Sequence, residues 1–569
     1  MTRLDCDWIV RVILFVVVSG GVSAWSQSPS PGSISDETPA RAETPLLVGI
    51  TVHRRSVTTD SADAQRYFDQ GLNLAYAFNH DEAIRSFEQA ARFDPNCAMA
   101  WWGIALSNGP HINNPSMDRS RSIAAWTALQ KAKAKRTKAS SVELALIEAV
   151  GDRYVADAEA NIAQRDTLNR QYAEAMRRVH ERFPDDTDVA VLYAESLLDL
   201  RPWDLWSDDG QSRPETPRAL ALLEGVMARQ PNHPGANHLY VHAVEASPNP
   251  EKATAAADRL RTLMPGSGHM VHMPAHIDVR MGNWSQAAVQ NEQAITIDAV
   301  YRQASPRQAF YTIYMLHNPH FLSFVCMMQG RKERALTAAR NVLSSVPQEF
   351  LKQSPQHADP FLSIEYQVMV RFGLWDELLA LPAPPKELPI TTAMWRFARA
   401  TALAAKGRIA DAEREQMLFR QAMEAVPEET VGAINRARDI LKVGDHTLAG
   451  EIAFQKGDID TAVHELKRGV AAERELLYME PPEWIQPVRH SLGAVLVTAQ
   501  RWDEAEKVYR ADLAEWPENG WSLHGLSNCL KSQGKTAEAE AVLKRFRAAW
   551  AEADTTIDTT CLCVGKENE

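Results

Sequence analysis

Residues of matching type return in this chain at a fixed interval, and that interval limits the folds open to it. Pro231 and Pro265, His238 and His272, His242 and His276, and His490 and His524 are each 34 residues apart. A period of this length is one helix–turn–helix unit, which cannot bury its apolar face alone and must stack on copies of itself. The clearest unit spans residues 64–96, with Tyr67, Gly71 and Leu74 on a first helix, Ala83, Phe87 and Ala90 on a second, and Pro95 to end it. Small residues at Gly71 and Ala83 let the two helices approach, and the larger ones fill the space between them. The pattern returns as Gly493, Ala505, Tyr509 and Pro517, then as Leu523, Ala539 and Leu543. Looser copies end at Pro184, Pro231 and Pro265, or centre on Ala287, Ala335, Ala412 and Ala462. Turn signals such as Met281-Gly282-Asn283, Gln329-Gly330, Phe372-Gly373 and Gln533-Gly534 fall between paired helices. No apolar–polar alternation is long enough to argue for a sheet.

The pattern resembles the tetratricopeptide-repeat (TPR) family, from about residue 60 to about residue 550. That resemblance implies an all-α fold, a right-handed superhelical solenoid of antiparallel TPR helix pairs, in which each unit touches only its neighbours. It also implies a concave groove that takes a protein or peptide ligand. A narrower likeness, to a poorly characterised group of exported bacterial TPR proteins, is carried by several segments. These are Phe78-Asn79-His80-Asp81-Glu82-Ala83, Trp102-Gly103-Ile104-Ala105, Arg201-Pro202-Trp203-Asp204, and residues 238–245, 269–276 and 478–484. That group implies an exported context and no settled activity.

The ends read differently from the middle. Arg3 and Arg11, the apolar run 12–18 and the small residues Val22-Ser23-Ala24 read as a signal peptide over 1–24, with Asp5 and Asp7 leaving an uncleaved membrane anchor open. The expected location is therefore periplasmic or secreted. Ser- and Pro-rich residues 25–59 read as a linker, 60–553 as the solenoid, and 554–569 as a flexible tail carrying Cys561 and Cys563. The net charge of −12, without a basic stripe, argues against nucleic acid.

Chemistry is concentrated in the histidines. Of 17 in the chain, seven fall between residues 238 and 320: His238, His242, His269, His272, His276, His317 and His320. The pairs His238/His242 and His272/His276 are each four apart, so each lies on one helix face, and Glu245 continues the first stripe. Aligning the next unit through Ala335 sets His317 and His320 in register with His269 and His272, after an insertion around 299–313. By the TPR resemblance all eight residues line the groove. Helices about 8–10 Å apart let inward imidazoles share a transition metal such as Zn, Cu or Fe. The same residues also fit a peptide-binding groove or simple packing. A second, thinner set, His490 and His524 with Glu483 and Trp484 nearby, either curls back towards the first or forms a separate groove wall. Trp203 and Trp206, in a loop between repeats, fit either a cover over the groove or a cap on the solenoid core, and Asn79-His80 reads as a turn. No phosphate loop is present, since Cys529 stands where Gly534-Lys535-Thr536 would need a glycine, and there is no His-Glu-x-x-His or Gly-x-Ser-x-Gly. The expectation is a binding or scaffold module whose groove carries a multi-His metal site. The alternative is a metal-dependent hydrolase or oxidase, or a metal chaperone, on the same histidines.

Overall fold

The computed structural model describes residues 44–306 and 308–564. Among these, helices run from Ala62 to Ala549 in antiparallel pairs, with no β-strand and three isolated bridges between loop residues. The fold is all-α and superhelical. Its first pair is Ala62–Tyr76 with His80–Phe93, and its last is Gly520–Ser532 with Thr536–Ala549.

One device holds neighbouring units at close range. The Phe87 ring, on a second helix, lies against Gly71 of its own first helix and Gly103 of the next. A Cβ at these glycines would stand 2.7 and 2.6 Å from ring carbons, well inside the contact distance of about 3.5–4.0 Å. Tyr509 repeats the arrangement between Gly493 and Gly525, where the distances would be 2.4 and 2.2 Å. The reversals between paired helices need left-handed backbone, which Gly282 and Gly330 adopt freely (φ 77° and 71°). At the first reversal the same conformation is forced on Phe78 (φ 55°).

The units do not touch only their neighbours. The insertion lengthens helix Trp284–Ala304 and carries it to the first unit, where Tyr301 donates to Glu82 at 2.9 Å and the Phe310 N–H donates to Asp81 at 3.1 Å. From the other end, Trp521 Nε1 donates to the Met327 carbonyl at 3.0 Å, and Trp284 Nε1 donates to the Pro517 carbonyl at 2.8 Å. Both ends of the superhelix therefore rest on its middle.

Two segments expected to be loose are built in. Residues 44–59, the second half of the expected linker, run along the first helices. The Leu47 N–H donates to Gln70 Oε1 (2.7 Å), the His53 N–H to Asn73 Oδ1 (3.1 Å), and the Arg55 guanidinium to Asp186 (2.8 Å) and Asp188 (2.9 Å). At the other end, Asp554 caps helix Lys332–Ser345 by accepting the N–H groups of Lys332 and Glu333 at 2.6 and 3.0 Å. Beyond it, Cys561 and Cys563 are buried and disulfide-bonded, so residues 554–564 are a strap rather than a free tail. The expected signal segment 1–24, residues 25–43 and residues 565–569 lie outside the described residues.

The glycine device predicts a contrast in stability. Gly103→Leu drives a side chain into Phe87 and lowers stability by about 1–3 kcal/mol. Gly225→Ala, on an exposed helix face with nothing within 4 Å of the new Cβ, raises it by about 0.5–1 kcal/mol. Thermal melts of the two variants check the opposite signs.

Candidate metal centre

Three successive first helices supply the histidines. Helix Pro234–Glu245 carries His238, His242 and Glu245. Its successor is broken, because Pro274 has no N–H to continue the ladder, into Gly268–His272 and Pro274–Arg280, which carry His269, His272 and His276. Helix Thr312–Met328 brings His317. His238, His272 and Glu245 have no exposed surface, and the other four are buried.

The rings form two triads, His238/His242/His269 and His272/His276/His317. In the second, His272 Nε2 stands 2.8 Å from His276 Nε2 and 3.0 Å from His317 Nε2. The far side of each ring decides what those nitrogens carry. His272 Nδ1 is 2.8 Å from Asn291 Oδ1, and the Asn291 amide N–H is spent on the Ala287 carbonyl, so Nδ1 is the donor. His276 Nδ1 is 2.7 Å from Glu245 Oε2. In the first triad, His238 Nδ1 is 2.7 Å from the Tyr76 carbonyl, which only accepts, and His242 Nδ1 is 3.0 Å from Glu245 Oε1. His238, His242 and His272 therefore hold a proton on Nδ1 and present a lone pair at Nε2, whereas His276 Nδ1 lies close to Glu245 without making a hydrogen bond. His238 Nε2 faces His269 Nε2 at 3.1 Å, and His242 Nε2 has no partner.

The tautomers of His269, His276 and His317 are not fixed in this way, so an Nε2–H of each can be given to a neighbouring Nε2. Further protons, which would charge the rings, are disfavoured. Burial, followed by the neighbouring imidazoles, holds His238, His269, His272 and His317 well below the usual histidine range. A proton bridges two nitrogens, whereas three converge here. A metal about 2.0–2.1 Å from each of three nitrogens at tetrahedral angles needs them about 3.3 Å apart. The pairs His238/His269, His272/His276 and His272/His317 lie within a few tenths of an ångström of that spacing, and the nitrogens of each triad lie within 4.8 Å of one another.

Glu245 ties the triads together, since its two oxygens meet His242 of one and His276 of the other. Burial opposes its ionisation, but the two imidazoles overcome that and hold it charged. Beside it lies Glu480, 3.7 Å from His276 Nδ1, wholly buried and with neither oxygen hydrogen-bonded. Burial and the Glu245 charge push its carboxyl well above the usual range. Phe78 packs on the first triad, with ring centres 4.5 Å from His238 and 6.0 Å from His269, and Trp203 sets its face against the edge of His242 at 5.4 Å. Both aromatics sit in left-handed backbone (φ 55° and 64°), an expensive conformation for bulky residues that gathers at functional sites. A cavity of about 500 Å³ reaches His242 and His269 of one triad and His276 and His317 of the other.

The Tetratricopeptide repeat family matches residues 489–520. That match covers one helix pair of the all-α superhelix. No curated protein sequence matches the chain. Among solved structures, the human IFIT1 dimer with m7Gppp-AAAA is 13% identical, with 87% of this chain and 92% of that one covered and a TM-score of 0.34. The APC/C hetero-tetramer Cut9–Hcn1 is 11% identical (86% and 77% covered, TM-score 0.32), and yeast Tom70 is 10% identical (85% and 90% covered, TM-score 0.29). Likeness at this level says nothing about ligands.

Not every TPR position read as groove-lining joins the centre. His320 turns away from the triads, with its ring edge-on to Phe361 at 5.4 Å, and burial lowers it to about 4. Glu483 accepts the N–H groups of Ala433, Ile434 and Asn435 and pins that loop. Trp484 is buried against Phe397. His490 donates to Asp512 at 2.9 Å and accepts from Arg371 at 3.0 Å, so both its nitrogens are used. His524 pairs with Asn528 at 3.0 Å. The C-terminal half does curl back to the centre, but it arrives through Glu480. Glu480, Asn291, Phe78 and Trp203 complete the surroundings. The segments around Phe78 and Trp203 and residues 478–484 were the sequence signal for three of them, and Asn291 gave none.

Depressed histidines make stability depend on pH. The unfolded chain takes up these protons near pH 6.5, whereas the folded rings refuse them. Metal-free protein therefore loses stability as pH falls below that value, by up to roughly 1.4 kcal/mol per unit for each such ring. Urea midpoints should drop between about pH 7 and about pH 5.5, and a flat profile would mean that the folded rings accept the protons.

Proposed function

We propose that the two triads are a transition-metal centre and that the chain is a metal-dependent enzyme acting on a small molecule. The observation that carries this reading is the convergence of two sets of three buried imidazole nitrogens, with His238, His242 and His272 held by Nδ1 so that their Nε2 atoms face inward. Neutral imidazoles suit Zn, Cu or Fe rather than Mg or Ca. Three protein ligands per ion leave a position open for water or substrate, as catalytic sites require. Two histidines of each triad border the cavity, so that open position has somewhere to lead.

The alternatives fit less well at this face. A metal chaperone must hand its ion over, and these rings are enclosed. A peptide groove needs an open wall, whereas the contacts from both ends close over the histidines. Solenoids of this kind commonly bind proteins, and such a role for the remaining surface is compatible with a buried centre. Export to the periplasm or beyond rests on residues 1–24 alone; a native N-terminus at Trp25 is the result that supports it.

Elemental analysis of untagged protein tests the centre. Metal near one or two ions per chain is expected, falling to background in a His238→Ala/His272→Ala double variant of unchanged helicity. Trace metal that the variant does not alter would sink the reading. Bound metal also raises the melting temperature through linkage, by about 2.7 kcal/mol of stability at a hundredfold excess over Kd. Asn291→Leu, which frees the His272 ring to turn, weakens metal binding by about 10–100-fold. Chelator competition measures that loss.

A further inference from the structure

We propose that the two triads hold a coupled pair of copper ions that binds dioxygen between them and oxidises small uncharged aromatic diols; this rests on the metal reading above. The triads lie side by side, with the His242 ring 6.0 Å from the His276 ring and the His269 ring 6.2 Å from the His272 ring. Each offers three nitrogens, so each ion keeps an open position, and the cavity is shared between them.

The donor set favours copper. No carboxylate reaches the point where the nitrogens meet. Glu245 grips the Nδ1 side of His242 and His276, behind the rings, and cannot bridge the ions. Two divalent ions held by six neutral ligands in a buried site would repel strongly, with little charge to offset them. Two copper(I) ions bring half that charge, and imidazole suits copper well. When they become divalent, the bound dioxygen has become peroxide and supplies the missing anion between them. The cavity walls fit the co-substrate, since Trp203, Phe310, Tyr314, Phe361, Val431 and Met479 are aromatic or aliphatic. Among its lining residues, apart from the histidines and the Tyr314 phenol, only Glu429 is ionisable.

The electrons balance. Each copper(I) gives one electron to dioxygen, forming two copper(II) ions and a bound peroxide. A first diol gives two electrons and two protons. With two further protons from solvent the O–O bond breaks, two waters leave, and a quinone is formed. A second diol then returns the copper(II) pair to copper(I), and its two protons replace those taken from solvent. In total two diols and one dioxygen yield two quinones and two waters.

The full chain is loaded anaerobically with copper(I) and then exposed to oxygen. Two coppers per chain, no copper(II) electron-paramagnetic-resonance signal because the spins are coupled, and a near-ultraviolet peroxide-to-copper band are expected. Oxygen uptake with catechol should then run at one dioxygen per two diols. His269→Gln, which cripples one triad and leaves the other, should bind one copper, show a full resonance signal and lose the band. If the parent binds two coppers with full signal, or one only, the coupled pair is overturned while the metal centre stands. A coupled pair that takes up no oxygen with catechol overturns the diol activity. If it binds neither copper nor zinc nor iron, both readings fall.

Discussion

An imidazole has two nitrogens, and tying one of them decides what the other can do. Once Nδ1–H is given to an oxygen, Nε2 can only accept. The Tyr76 carbonyl, Asn291 and Glu245 make this choice for His238, His272 and His242. The choice costs nothing in water, where a solvent proton meets the bare nitrogen. In a dry interior it leaves a desolvated acceptor that needs a donor or a cation. The rest of the fold has to keep such a set dry and in register, so the enclosure follows from the chemistry it surrounds.

A plain solenoid would not provide that enclosure, since its concave face is open. Here the elongated helix Trp284–Ala304 reaches the first unit, the last units close on residues 284–330, and straps at both ends bind units that are distant in sequence. Phe78 and Trp203 complete the cover from left-handed backbone, each at a cost of order 1–3 kcal/mol. Glycine would remove that strain at either place, but it would also remove the ring that shields a triad. The strain is offset by burial around the centre.

This division explains what the sequence could show. The helix pairs were legible because the contacts that specify them recur within one period: Phe87 needs Gly71 and Gly103, and Tyr509 needs Gly493 and Gly525. The histidine register was legible for the same reason, since positions 34 apart stack. Glu480 was not, because it reaches His276 across some two hundred residues of superhelical path that no local pattern encodes. The linker and tail were misread because Ser, Pro and polar residues look unstructured by composition. Backbone N–H groups of the first are in fact taken by Gln70 and Asn73, and the Asp554 side chain of the second caps the helix at Lys332.

His490 is the instructive comparison, because its spacing to His524 matches that of His238 to His272. Its ring is as buried as those of the triads. Yet Asp512 takes its Nε2 proton and Arg371 fills its Nδ1 lone pair, so the ring is satisfied on both sides and holds the C-terminal units together. His53 and His233 meet Asp188, which Arg55 and Tyr76 also share, and the ionised carboxylate is fully occupied by donors. Burial, spacing and clustering therefore do not separate a structural histidine from a ligand. What separates them is whether the second nitrogen has been given a partner. In the triads the fold holds Nδ1 of His238, His242 and His272 and turns their Nε2 atoms towards other imidazoles.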